Sequence, residues 1–228
     1  MKTALLQAIE LILSGNRQLM NIINVTLRMS IASSIASLLI GVPLGVLLSR
    51  GKSFLKRALV VINRTLMGLP PVVCGLICYI LFSGVGPLGY LKLLYTVKGM
   101  VVAQVMLITP MIIGNTETYL AGRTDDIDET AKGLSVGRWR TFLLTLNESR
   151  YQTISTYLFG FSRAIAEVGA VSMVGGAIAF KTNVMTTAIM MYTNMGDVTL
   201  GLALGIILLA MAFVLNMSVY ILQTVVDR

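Results

Sequence analysis

Long apolar runs separated by short polar stretches organise this chain. Five of them, Val25–Leu48, Ala58–Phe82, Met100–Leu120, Ile154–Ile178 and Val198–Val225, are long enough to cross a bilayer, which takes about 20 mostly apolar residues. Lipid offers no partners for backbone N–H and C=O groups, so each run is expected to be helical. Ahead of them Leu5, Leu6, Ile9, Ile12 and Leu13 recur at helical spacing after Lys2. Gln7 and Glu10 interrupt that run and no small-residue cleavage site follows, so residues 1–18 read as an interfacial amphipathic helix. Proline marks three spans. Pro43 and Pro110 are expected to kink the first and third, and Gly68-Leu-Pro-Pro71 to break the second. That break is either a structural kink or a discontinuity beside a substrate path, which makes Pro70 and Pro71 candidate pathway residues.

Composition agrees with a membrane solvent. Of the 228 residues 56% are hydrophobic and only 12% are charged, against about 25% charged in soluble domains. The net charge of +8 comes from basic residues at span ends rather than on an aromatic-laced face, which argues topology and excludes nucleic-acid binding. The first connection carries Arg50, Lys52, Lys56 and Arg57, and the third Arg123, Lys132, Arg138, Arg140 and Arg150. The second has only Lys92 and Lys98, and the fourth only Lys181. The first and third connections are therefore expected in the cytoplasm, with the N-terminus outside and Asp227-Arg228 inside.

Little in the chain points to catalysis. There is no histidine, which removes the commonest general base and metal ligand. Cys74 and Cys78 lie four apart in an apolar run with no further ligands near, and read as small packing residues rather than a metal or redox site. Gly51-Lys52-Ser53 resembles the tail of a phosphate-binding loop, but Val46 stands where the motif needs glycine and the segment leaves a membrane helix rather than a strand.

Two polar features need an account. Residues Arg123 to Arg140 place eight charged side chains in 18 positions between apolar runs, whereas a bare connection takes about two to six residues. Asp126 and Glu129 have the spacing of a capping box, Gly133 and Gly137 offer a break, and Arg138 to Arg150 can form a second helix with Trp139, Phe142, Leu143 and Leu146. Two short angled helices could dock a partner or simply connect spans, and composition leaves both open. The second feature is Arg163 and Glu167, four apart inside the fourth span and expected on one helix face. Intramembrane charges usually face the bundle interior and mark a functional path, although a structural ion pair fits equally. Gly160, Gly169, Gly175 and Gly176 nearby would let neighbouring helices approach closely.

Glu129-Thr-Ala131 followed by Leu134-Ser-Val-Gly-Arg-Trp-Arg-Thr-Phe142 resembles the EAA loop of permease subunits of type I ATP-binding-cassette importers. Ser135 stands where that pattern places glycine, and Leu146-Asn147 replaces its closing Leu-Pro. Arg163-Ala-Ile-Ala-Glu167-Val-Gly169-Ala with Gly175-Gly176, and Met67-Gly-Leu-Pro-Pro-Val-Val73, are similar to molybdate, tungstate and sulfate permeases, most to the tungstate branch. The resemblance implies an all-α integral membrane protein of five transmembrane helices, with residues 19–228 as the permease domain and a coupling loop at about 123–150. It implies that Glu129, Thr130, Ala131, Gly133, Leu134, Ser135 and Gly137 couple to a separate ATPase, with ATP and Mg there and no cofactor on this chain. The expected partners are a second copy in a homodimer, a cytoplasmic ATPase dimer, an extracytoplasmic oxyanion-binding protein and membrane lipid. A prokaryotic plasma-membrane location follows from the same resemblance. Arg163, Glu167 and Gly169 are expected to hold or gate the helix interface.

Overall fold

A computed structural model describes residues 2–50 and 53–226; Met1, Gly51, Lys52, Asp227 and Arg228 lie outside them. Among the described residues the chain forms eleven α-helices and a 3-10 turn, Gly89–Leu91, with no strand. They are α1 (Lys2–Leu13), α2 (Arg17–Ser49), α3 (Phe54–Met67), α4 (Pro71–Phe82), α5 (Val97–Leu120), α6 (Arg123–Gly133), α7 (Arg138–Glu148), α8 (Arg150–Ile165), α9 (Gly169–Gly175), α10 (Met185–Asn194) and α11 (Val198–Val226). Three, α2, α5 and α11, are long and apolar enough to cross a membrane alone. Two more spans arise if the bent pairs α3–α4 and α8–α9 each count as one.

The longest helix is the scaffold. The Asn16 side chain accepts from the N–H groups of Gln18 and Leu19, capping the free donors at the start of α2. Pro43 in α2 and Pro110 in α5 leave both helices uninterrupted. Ser30, Ser33, Ser34, Ser37, Gly41 and Gly45 form a small-residue ridge on α2, buried on α5. A Cβ on Gly41 would lie 2.6 Å from Ile112 Cγ2, and one on Gly45 would lie 2.6 Å from Thr116 Cβ. Small residues allow backbones this close, which is how helices associate where lipid removes the hydrophobic drive. Gln104 of α5 joins three helices here, accepting from Ser33 Oγ at 2.7 Å and donating to the Ala164 carbonyl at 2.8 Å.

The second span breaks where the double proline requires it. Proline has no N–H to donate and restricts the residue before it, and α3 and α4 meet at 98° across Gly68-Leu-Pro70. The fourth run differs from its expected single helix. It divides at residues 166–168 into α8 and α9, bent by 57°, and Gly176, at φ 67, ends α9. The expected external loop after it also differs, because it contains α10, whose Met185, Thr186, Thr187 and Ala188 are buried. A ten-residue segment with three threonines looks like a connector by hydropathy, yet its hydroxyls satisfy the broken span. Thr186 donates to the Glu167 carbonyl at 2.8 Å, and Thr182, just before the helix, donates to the Gly175 carbonyl at 2.6 Å. These hydroxyls supply donors to the Gly175 carbonyl at the end of α9 and the Glu167 carbonyl in the break, both in an apolar setting. α10 also meets α2, where Thr26 Oγ1 accepts from the Met185 N–H at 2.9 Å and Gln18 donates to the Tyr192 hydroxyl. Leu19, Ile22, Ile165, Met185, Leu200 and Leu204 close one core cluster around this junction.

Candidate functional site

The charged loop is an elbow of two helices. α6 begins at Arg123 after Gly122, which takes φ 89, so Asp126 lies inside the first helical turns and the expected Asp126–Glu129 capping box does not form. The acidic start is still favourable, since Asp125 and Asp126 face the positive helix end. At the other end Val136 N–H bonds to the Ala131 carbonyl at 2.8 Å and Ser135 N–H to the Lys132 carbonyl at 3.0 Å. This 6→1 and 5→2 pair is a Schellman closure, and it puts its central residue in the left-handed region. Ser135 takes that place at φ 54. The turn thus rests on Ser135, not on Gly133 or Gly137: Gly133 ends α6, and Gly137, at φ −66, precedes α7.

Of the elbow residues singled out by sequence, Glu129, Thr130, Gly133, Leu134, Ser135 and Gly137 are exposed, whereas Ala131 is buried beneath them. Leu134 and Trp139 leave over 70% of their surface open, an exposed apolar pair on the elbow. Arg50, read from sequence only as a topology signal, anchors the elbow to the end of α2. Its guanidinium lies 3.5 Å from Asp128 and donates to the Thr141 carbonyl at 3.3 Å and to Thr145 Oγ1 at 2.5 Å. Thr124 Oγ1 adds a bond to the Ser49 carbonyl at 3.2 Å, and Lys56 donates to the Arg50 carbonyl. Arg50, Lys56, Asp128, Lys132, Arg138 and Trp139 line a cleft of about 890 Å³ between α2, α3 and the elbow.

The remaining candidates meet elsewhere, where the two broken spans face each other. A Cβ on Gly169 would lie 3.0 Å from Val72 Cγ2 and 3.3 Å from Pro71 Cβ, and one on Gly75 only 2.7 Å from Ala170 Cα. The first turns of α4 and α9 are therefore in backbone contact just beyond their breaks. Cys74 and Cys78 pack into this junction with Ala103, Ala170 and Val174. Arg163 and Glu167 do pair, at 3.5 Å, but not along one helix face as expected. Arg163 sits in the last turn of α8, while Glu167 lies in the break, 4% exposed, and accepts from the Ala170 N–H at 3.3 Å. Glu167 thus satisfies both an arginine and a free helix-start donor. Pro70, the N-cap of α4, stays exposed. The glycines of the fourth run permit close contact as anticipated: Cβ atoms on Gly175 and Gly176 would meet Met100 Sδ at 2.7 Å and the Tyr95 ring at 2.8 Å.

The family of binding-protein-dependent transport system inner membrane components matches residues 41–228. The chain belongs to it. Similar proteins include the tungstate uptake system permease protein TupB of Peptoclostridium acidaminophilum, 36% identical over 216 residues and 95% of each chain. TupB of Campylobacter jejuni is 35% identical over 71% of this chain and 68% of its own. The molybdenum transport system permease protein ModB of Azotobacter vinelandii is 29% identical over 73% of this chain and 77% of its own. The long apolar helices suit an inner-membrane transport component, and the relatives are permease proteins rather than enzymes.

Proposed function

We propose that this chain is the membrane-spanning subunit of an ATP-driven importer for a tetrahedral oxyanion, tungstate in preference to molybdate. The observation that carries the cargo is the 36% identity over 95% of both chains with a tungstate uptake permease. Two copies form the pathway about a two-fold axis, since one set of up to five spans offers a single elbow. A separate cytoplasmic ATPase pair binds ATP and Mg and seats the knob of Glu129, Leu134, Ser135 and Trp139. An extracytoplasmic binding protein delivers the anion, and the N-terminus lies outside the cell. The exposure of the knob supports the docking role, and its Arg50 anchor supports transmission into α2. Arg163, Glu167 and Gly169 hold the junction of the broken spans. The test is uptake by the reconstituted complex with tungstate, molybdate and sulfate in competition. Tungstate should win; molybdate outcompeting it would reassign the cargo within the same machine. A permease that purifies without a nucleotide-binding partner would instead indicate a secondary carrier. Glu129→Ala should uncouple hydrolysis from uptake, and unchanged substrate-stimulated hydrolysis would remove the docking role.

A further inference from the structure

A polar face on α2 is used by neither the elbow nor the broken spans. Arg17, Asn21, Asn24 and Arg28 follow one another at intervals of four, three and four residues, which places them on one side of the helix. Asn21, Asn24 and Phe180 line two clefts, of about 680 and 400 Å³, so the two form one continuous groove. Arg17 lines the first cleft, and Arg28 and Lys181 the second, and no carboxylate lines either. Among the described residues the side chains of Arg17, Asn21, Asn24, Arg28 and Lys181 make no hydrogen bond or ion pair. Hydrocarbon walls from Met20, Ile23, Leu27 and Val97 flank these donors. Arg28 lies about 16 Å along the helix from Arg17 at 1.5 Å per residue, inside the first apolar run. The groove sits at the end of α2 opposite Arg50 and the elbow.

Three cations, which can only donate, and two amides, which can turn their N–H groups inward, line a groove without carboxylates and match a ligand that is an acceptor on every side. A tetrahedral dianion is such a ligand. Guanidinium forks bind oxyanions bidentately, and amide N–H groups add neutral donors that hold without trapping. We propose that this face of α2, with Lys181, is the outer reception site where the permease takes the bare oxyanion before translocation. The proposal rests on the oxyanion-importer reading above and adds the residues that would touch the cargo.

The test uses the complete importer, with ATPase and binding protein, in vesicles of phosphatidylcholine alone, which removes anionic lipid headgroups as occupants. Radiolabelled tungstate uptake is measured for Arg28→Gln, Arg28→Lys, the double variant Asn21→Ala/Asn24→Ala, and Lys92→Gln, an exposed cation outside the groove. Co-purification of the ATPase establishes that each variant is assembled. Arg28→Gln and the double asparagine variant should each lose at least tenfold in maximal uptake, Arg28→Lys should recover part of it, and Lys92→Gln should match the wild type. Uptake within twofold of wild type in both groove variants overturns the site. Loss restored by raising the binding-protein concentration overturns it too, since the face would then be a protein dock. A wild-type complex that takes up no tungstate removes the importer reading itself, an outcome separate from failure of the groove variants alone.

Discussion

Replacing Ser135 by glycine should tighten the elbow. Ser135 holds φ 54 at the centre of the α6 closure, and an L-residue there costs about 1–2 kcal/mol relative to right-handed backbone. Its side chain is exposed and forms no hydrogen bond among the described residues, so the substitution removes no hydrogen bond. Glycine returns part of the gain through its freer unfolded chain, about 0.5–1 kcal/mol. The net stabilisation is about 0.5–1 kcal/mol, a two- to fivefold shift in local opening at about 1.4 kcal/mol per decade. Hydrogen exchange reads this directly, because the Val136 N–H is protected by its 2.8 Å bond to the Ala131 carbonyl. Exchange at Val136 should slow by that factor in Ser135→Gly and quicken in Ser135→Val, whose branched Cβ tolerates positive φ poorly. Exchange at Val136 that is unchanged or faster in the glycine variant would refute the claim that this residue, not Gly133 or Gly137, sets the turn.

Other substitutions probe the scaffold and its ties. Gly45→Ala drives a Cβ to 2.6 Å from Thr116 Cβ and 2.9 Å from the Ile113 carbonyl, and should cost about 1–3 kcal/mol by overpacking; Gly205→Ala, where nothing lies within 4 Å, should leave the melting temperature in detergent unchanged or raised. Thr186→Val strands the Glu167 carbonyl and should cost about 1–3 kcal/mol, whereas Thr186→Ser retains the hydroxyl; equal thermal midpoints for the two would discount that bond. In a double-mutant cycle, Arg50→Gln and Asp128→Asn should show a coupling of about 0.5–1 kcal/mol in elbow exchange, and strict additivity would mean that the 3.5 Å pair contributes nothing.

Hydropathy located the spans well because lipid forces continuous helices, and it failed where tertiary partners replace that constraint. The Pro70-Pro71 step marked the second break, since a missing N–H is visible in the sequence. The break in the fourth span is hidden, because Ala166, Glu167 and Val168 carry no breaker and the Glu167 carbonyl is satisfied by Thr186, 19 residues along the chain. α10 was concealed by the same exchange: Thr182, Thr186 and Thr187 read as loop residues until their acceptors are known. The pairing of Arg163 with Glu167 was legible from spacing, while the bond from the Ala170 N–H that explains the burial of Glu167 was not. Arg50 reads as a span-end charge in the sequence, and Arg28 falls inside an apolar run although its spacing with Asn24, Asn21 and Arg17 is plain.

α2 links the two ends of the molecule. A helix of 33 residues extends about 50 Å at 1.5 Å per residue, longer than the roughly 30 Å hydrocarbon core. It carries the cationic groove at its start and the elbow anchor Arg50 at its finish. Between them Ser33 ties it to Gln104, and Gln104 ties it to the end of α8 at Ala164, three residues before Glu167. Gly41 and Gly45 seat it on α5 without room for a Cβ, so sliding along that face would force backbone apart. In the proposed importer a pull on the elbow would move α2 and α5 together and reach α8 at Ala164, two residues before the break. α4 and α9, in backbone contact with each other through Gly75 and Ala170, lie beyond breaks in their own spans. α2 and α5 run unbroken, while the discontinuities lie in α3–α4 and α8–α9, an arrangement suited to the rocking that the proposed importer would need.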